Sequence, residues 1–426
     1  MNAFRLFRAA VLIALLAGAA RAENWPQWRG PNNDGISTEK KLPTTWSKDK
    51  NVAWKLTLPG PGSSTPVVWG DKIFLTAQDG KKLVLMCVST AGKELWKGDL
   101  GPMVRSGRPG FGGEGGANPS SSTDGKAVYA FAANGDFAAF DFTGKELWRF
   151  NAQERYGKFR IQFGIQSTPV LHGDRLYLQL LHDGGQKVAC LDKADGKEKW
   201  AIDRESDGRA ENKHGYTSPF IWKKGKEAYL VVHGNDYTTA HELKDGAEIW
   251  RVGDLNPKGR YNPTLRFVAS PVCLPDLIVI PTAKQQGVVG LKPGAKGKVN
   301  KGDKSEQWRL ARGTPDVPSP LVHDGIVYLV GEGGSLTTLD AKTGKEIYKK
   351  QVNSDTHWAS PVYADGKIYI QSWGGTTSVV QAGKDYKVLA RNTLDPDDTT
   401  LASPVISGGR IYLRGYKTLW AIEEKK

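Results

Sequence analysis

The chain of 426 residues carries 59 Lys and Arg against 45 Asp and Glu, a formal net charge of +14 at pH 7. The basic residues are scattered along the sequence, so the charge favours anionic partners without implying nucleic-acid recognition. Only three Cys occur, Cys87, Cys190 and Cys273, far apart and without a CxxC pair; this excludes a disulfide framework and leaves buried free thiols as the expectation.

Residues 1–22 begin with Arg5 and Arg8, continue as an apolar run from Ala9 to Ala20 and end in Ala20-Arg21-Ala22, the pattern of an export signal cleaved after Ala22. The run is shorter than the about 20 apolar residues of a spanning helix, and nothing later is apolar enough, so no membrane span is expected. No Cys follows the run to receive a lipid. The expectation is a periplasmic or secreted protein whose residues 23–426 form one domain, acting as a monomer.

Self-similarity then dominates. Ser-Pro or Thr-Pro followed by an apolar residue recurs at Pro66, Pro169, Pro219, Pro271, Pro320, Pro361 and Pro404, with a degenerate copy at Asn118-Pro119-Ser120. The spacing of roughly 40 to 50 residues is that of a propeller. Each copy leads through a Gly or Asp turn into a short apolar strand such as KIFLT, RLYLQ, KIYIQ or RIYLR. A tight Gly turn and an outer strand follow, each outer strand carrying an aromatic: Trp96, Trp148, Trp200, Trp250, Trp308 and Tyr348. In the seventh repeat Val388 or Leu389 takes that place. The eighth repeat, Ser403 to Ile422, ends before its fourth strand, and NVAWKLTLPG near the mature start supplies it with Trp54 as the aromatic. The predicted fold is all-β, an eight-bladed propeller of four-stranded antiparallel blades closed by the N-terminal strand, its outer aromatics being packing wedges.

The Ser-Pro-Val starts and the TGKE turns at Thr143–Trp148 and Thr343–Tyr348 resemble the repeat of the pyrroloquinoline-quinone (PQQ) propeller family, which includes quinoprotein alcohol dehydrogenases and BamB-like assembly proteins. Asn24 to Ser37, NWPQWRGPNNDGIS, is similar to a motif of secreted propellers of this class. In the dehydrogenases the resemblance implies PQQ between a Trp and two adjacent disulfide-linked Cys, with calcium held by acidic and amide groups. This chain has no adjacent Cys pair, so no catalytic residue carries over.

In such blades the loops entering the innermost strands, and those joining second to third strands, gather at one mouth of the central channel. Four entering loops are long: Gly101 to Asn118, Asn151 to Gln166, Asp203 to Thr217 and Gly253 to Ala269. The entering loops carry Arg105, Arg108, Arg160, Gln162, His214, Tyr216, Arg260, Tyr261, Arg266, Arg312, His357 and Trp358. The second-to-third connections add His182, His233, Asp236, Gln285, Glu332 and Trp373. Each alone reads as a solvated loop charge or a packing group; only their convergence on one face points to a funnel suited to a small anionic or sugar-like ligand.

Other signals fail on context. Gly110 to Gly115 matches GxGxxG but precedes a Pro and a strand, not a helix. The seven His are dispersed, so no metal site is expected. Lys292 to Gln307 reads as a flexible basic loop on the opposite face. The expected function is a non-catalytic binding or interaction scaffold of the cell envelope, with an envelope protein, carbohydrate or small anion as partner. The alternative is an oxidoreductase using PQQ and calcium. Carbohydrate processing would draw its paired carboxylates from Glu114, Asp236 and Glu332.

Overall fold

The computed structural model describes residues 23–104 and 116–425. The export-signal reading of residues 1–22, and Arg105, Arg108, Glu114 and the GxGxxG stretch, lie outside the described residues.

Eight antiparallel blades form a ring. Blade 1 consists of Val67–Trp69, Lys72–Asp79, Lys82–Ser89 and Glu94–Pro102, from the axis outwards. Blades 2 to 8 repeat it, beginning at Ser122, Val170, Phe220, Val272, Leu321, Val362 and Val405. Blade 8 takes its outermost strand, Val52–Thr57, from the start of the chain, antiparallel to Thr418–Glu423 with Trp54 opposite Ala421. This joint removes the unpaired edge that an unclosed eighth blade would present. Second strands such as Ala127–Phe131 and Ile326–Val330 are buried throughout, because both faces of a blade pack on neighbours. Strict alternation is therefore confined to the outer strands.

A closed circuit of hydrogen bonds ties the blades at the axis. The backbone N–H of Thr65 donates to Ser120 Oγ (2.9 Å), Ser120 to Thr168 Oγ1 (2.9 Å), Thr168 to Ser218 Oγ (2.9 Å) and Ser218 to Ser270 Oγ (2.9 Å). Ser270, Ser319 and Ser360 continue the chain to Ser319, Ser360 and Ser403, each at 3.0 Å, and Ser403 returns to Thr65 Oγ1 at 3.2 Å. These are the hydroxyl residues of the repeated Ser/Thr-Pro pairs. In the degenerate copy Ser120 holds the place, with Ser121 where the other blades have Pro.

At the periphery the outer Trp of one blade docks on the tight turn of the next. Indole Nε1 donates to a turn carbonyl from Trp54 to Thr90 (2.8 Å), Trp96 to Phe142 (3.1 Å), Trp148 to Lys193 (2.9 Å), Trp200 to Leu243 (3.1 Å) and Trp308 to Ala341 (2.8 Å). The rings lie so close over Gly92, Gly144, Gly196, Gly246 and Gly344 that a Cβ would come within 2.7–2.8 Å.

Two places depart from expectation. Part of the stretch read as a flexible basic loop, Gly297–Val299, is a fifth strand pairing in parallel with Trp250–Val252 of blade 4. The long connection in blade 5 thus gives Trp250 a strand to pack beneath in place of a turn. In blade 7 the register places Ala390, not Val388 or Leu389, where the other blades carry their aromatic. Blade 8 has no third-to-fourth-strand turn to receive a ring, since its fourth strand arrives from the N-terminus. Trp46 covers that joint, its backbone N–H donating to Asn392 Oδ1 (2.9 Å) and its ring stacked on Tyr369.

The segment Asn24–Ser37 crosses the channel beyond the hydroxyl circuit. Trp25 exchanges backbone bonds with Val68 of blade 1, and Pro26 O accepts from Thr123 of blade 2. Gln27 Oε1 accepts from Leu171 of blade 3 (2.9 Å), and Gly35 and Ser37 bond Tyr363 of blade 7. This motif closes one end and leaves the mouth at the other.

Two expectations follow. Gly144→Ala (φ +92°, a ring 2.8 Å from the new Cβ) lowers the thermal midpoint clearly more than Gly173→Ala (φ +60°, no atom within 4 Å); equal losses would mean that the indole contact is unimportant. Ser270→Ala leaves the buried N–H of Ser218 unpaired and costs about 1–3 kcal/mol in denaturant unfolding, while Ser270→Thr, the residue type at positions 65 and 168, restores most of it.

Candidate functional site

The channel holds a pocket of about 380 Å³. All eight circuit residues line it as a lower tier. Two residues earlier in each blade stands an upper tier, because alternate residues of an extended segment face the same way. Blades 1 to 4 contribute Ser63, Asn118, Gln166 and Tyr216, while blades 5 to 8 contribute Val268, Val317, Trp358 and Leu401. The shaft therefore has one polar wall and one apolar wall. Trp28 of the N-terminal segment lies against Thr168 and Ser218 at its lower end.

Above these tiers Phe163, Arg266, Lys284, Asp316 and Glu332 form the rim. Arg266 pairs with Glu211 (3.1 Å) and lies 5.0 Å over the Phe163 ring and 6.0 Å from that of Tyr216. Lys284 bonds Glu332 and stands 3.7 Å from Asp316. Burial pushes the Asp316 carboxyl above its ordinary value, opposed by Arg266 and Lys284. The rim charges are thus largely compensated among themselves.

Of the residues expected at the mouth, Tyr216, Arg266, Glu332 and Trp358 line the pocket. Trp373 stands behind Trp358, ring to ring at 4.6 Å. Arg160 and Gln162 are exposed on a loop. The histidines are structural. His182 is buried edge-on to Phe159 and accepts from Gly184 N–H (3.0 Å). His233 is buried on Phe267 with Nδ1 2.8 Å from Thr238 Oγ1. His357 Nδ1 is 2.8 Å from Asp355 O, and His214 Nε2 is 3.0 Å from Asp183. Asp236 braces its loop, accepting from Tyr261 (2.6 Å), Asn256 (3.2 Å) and Asn212 (3.3 Å), and faces a separate cavity between blades 3 and 4. Glu332 thus has Asp316, not Asp236, beside it. Sequence reasoning missed Asp316, Lys284 and the upper tier. The tier was detectable as the position two before each repeated Ser or Thr.

The grip on PQQ and calcium implied by the family does not match these residues. Cys87, Cys190 and Cys273 are buried free thiols in blades 1, 3 and 5. Burial pushes the Cys87 thiol up to about 12 and that of Cys190 up to about 11, so neither is reactive. The rim carboxylates are already held by Lys284 and Arg266, and among the described residues no three His, Cys, Asp or Glu side chains converge. Trp28, a flat ring at the shaft wall, is the one feature in common.

Eight blades around an axial shaft define an eight-bladed β-propeller. The chain belongs to the family described as outer membrane protein assembly factor BamB, whose model matches residues 81–262, 133–299 and 239–426. No curated protein matches it. Among solved structures, BamB from Moraxella catarrhalis aligns at 12% identity and TM-score 0.61, covering 87% of this chain and 99% of that one. The quinohemoprotein alcohol dehydrogenase from Comamonas testosteroni aligns at 14% and 0.71, covering 96% and 82%. That of Pseudomonas putida HK5 aligns at 13% and 0.64, covering 95% and 81%. At these identities the likeness concerns the fold.

Burial lowers the pKa of His182 to about 4, of His233 to about 3 and of His241 to about 4. The unfolded chain protonates these rings below about pH 6.5 while the folded chain does not. Their contribution to stability is therefore complete above pH 6.5 and is lost as pH falls toward 4. The thermal midpoint should drop across that window, and His182→Gln combined with His233→Gln should flatten the slope; an unchanged slope would show that other groups set it.

Proposed function

We propose that the chain is a non-catalytic binding propeller of the cell envelope, exported by removal of residues 1–22, with residues 23–426 acting as one domain. Its axial pocket holds a small ligand, a carbohydrate or a small carboxylated molecule, and its rim meets an envelope partner. The carrying observation is the two-sided shaft. Val268, Val317, Trp358 and Leu401 suit the apolar face of a ring, while Ser63, Asn118, Gln166 and Tyr216 face its polar edge. Membership of a family described by outer-membrane assembly supports the envelope setting, and no helix among the described residues is long and apolar enough to cross a membrane.

The competing reading is a PQQ- and metal-dependent oxidoreductase, favoured only by the Trp28 ring at the shaft. The two separate cleanly. The mature protein, screened against a panel of sugars and carboxylated rings, should bind at least one class. Trp358→Ala should weaken that binding about 3- to 10-fold, the worth of one aromatic contact. Steady dye reduction with alcohols or sugars after addition of PQQ and calcium would replace the binding reading by the enzymatic one.

A further inference from the structure

The lower tier offers hydrogens. Each of its eight hydroxyls has one lone pair taken by the N–H of the preceding blade, a bond that runs around the circumference. None donates its own hydrogen to an acceptor among the described residues. The neighbouring backbone occupies the circumferential direction and the side chain's own carbon occupies another, so the O–H is left the lumen. Asn118, 6% exposed, accepts from Ser63 Oγ (3.0 Å), while its Nδ2 meets no protein acceptor. Each hydroxyl thus keeps a free hydrogen beside its second lone pair, Asn118 adds an unpaired amide N–H, and the rim carboxylates lie above this level.

Two buried guanidinium groups add positive charge. Arg29, 2% exposed, donates from Nη2 to the carbonyls of Asp34 and of Pro320, each at 3.0 Å; Pro320 directly follows Ser319 of the circuit. Its Nε and Nη1 meet no protein acceptor. Arg414, 1% exposed, donates to the Ser64 carbonyl (2.6 Å), the Ser64 hydroxyl and the Thr76 carbonyl (2.6 Å); Ser64 directly precedes Thr65 of the circuit. Every hydrogen-bond acceptor these two reach is a neutral oxygen, and the carboxylates of Asp34 and Asp398 lie close enough to act on Arg29 and Arg414 through space. A buried cation without a charged hydrogen-bond partner still gains from a further anion nearby. Burial lowers their pKa values, to about 10 for Arg29 and about 9 for Arg414, yet both remain charged at neutral pH.

We propose that the hydroxyl circuit is an oxyanion site, taking a phosphate, a sulfate or the carboxylate end of a larger molecule whose body rests between the two walls of the upper tier. This rests on the binding reading above and adds the ligand's charge and orientation: anionic end toward Trp28, remainder toward the mouth. Donor hydroxyls and buried guanidinium groups favour acceptors that carry charge, and no charged acceptor competes within the circuit.

Selenate, a sulfate analogue located by anomalous scattering, is the probe. In crystals of the mature protein it should occupy the axis within the ring of Thr65, Ser218 and Ser360. In solution, at constant ionic strength, calorimetric titration with inorganic phosphate should saturate. Arg29→Gln, which removes a buried positive charge behind the circuit, should weaken phosphate binding about threefold or more through the lost charge, while Arg29→Lys should retain most of it. If Arg29→Gln proves unstable, the wild-type selenate position alone decides. No axial selenate, or an axial peak without phosphate affinity in solution, overturns the proposal. A neutral sugar bound in a shaft that refuses selenate overturns the oxyanion site and leaves the binding propeller standing. Dye reduction alongside axial selenate does the reverse.

Discussion

One bond per blade, from the backbone N–H of a Ser or Thr to the hydroxyl of its counterpart in the next blade, runs once around the axis and returns to its start at Thr65. Each is worth little alone, about 0.5–1.5 kcal/mol net. Their closure is what matters, because it sets the angle and spacing of eight inner strands together. The following Pro has no N–H of its own and fixes its backbone angle, which suits the first residue of a strand facing a narrow channel. Outer Trp rings repeat the arrangement at the circumference, where five indoles both fill space and donate to the next blade.

The pocket is a by-product of that geometry. Extended chain entering each inner strand points every second side chain at the axis, so the residues two before the circuit must face one another whatever their chemistry. Evolution can vary them without disturbing the ring, and here four polar residues face four apolar ones. The charged rim is a different matter: two cations, Arg266 and Lys284, are paired at short range with three carboxyl groups, Asp316, Glu332 and Glu211. A rim of this kind orients and shields a ligand more than it attracts one, and in the proposed oxyanion site the attraction falls to the circuit hydroxyls, with Arg29 and Arg414 behind them.

The N-terminal segment serves three purposes in this frame. Val52–Thr57 completes blade 8, Trp46 replaces the aromatic missing from blade 7, and Asn24–Ser37 closes the lower end of the channel. The absence of an aromatic at Ala390 then has a reason, since the blade it would dock against receives its last strand from elsewhere in the chain.

Number of blades, identity of the closing strand and most of the outer aromatics were legible from residues alone, because most repeats satisfy the same local demands: hydroxyl before Pro, Gly at a turn of positive φ, an aromatic four residues on. The pocket was legible only in outline. Tyr216, Arg266, Glu332 and Trp358 reach it, but His182, His233 and Asp236 turn inward to satisfy their own loops, as buried polar groups must. Which way such a side chain faces depends on neighbours from other blades, distant in sequence, as do the pairing of Asp316 with Lys284 and the parallel strand Gly297–Val299. Local propensity specified the blade, and contacts between blades decided the site.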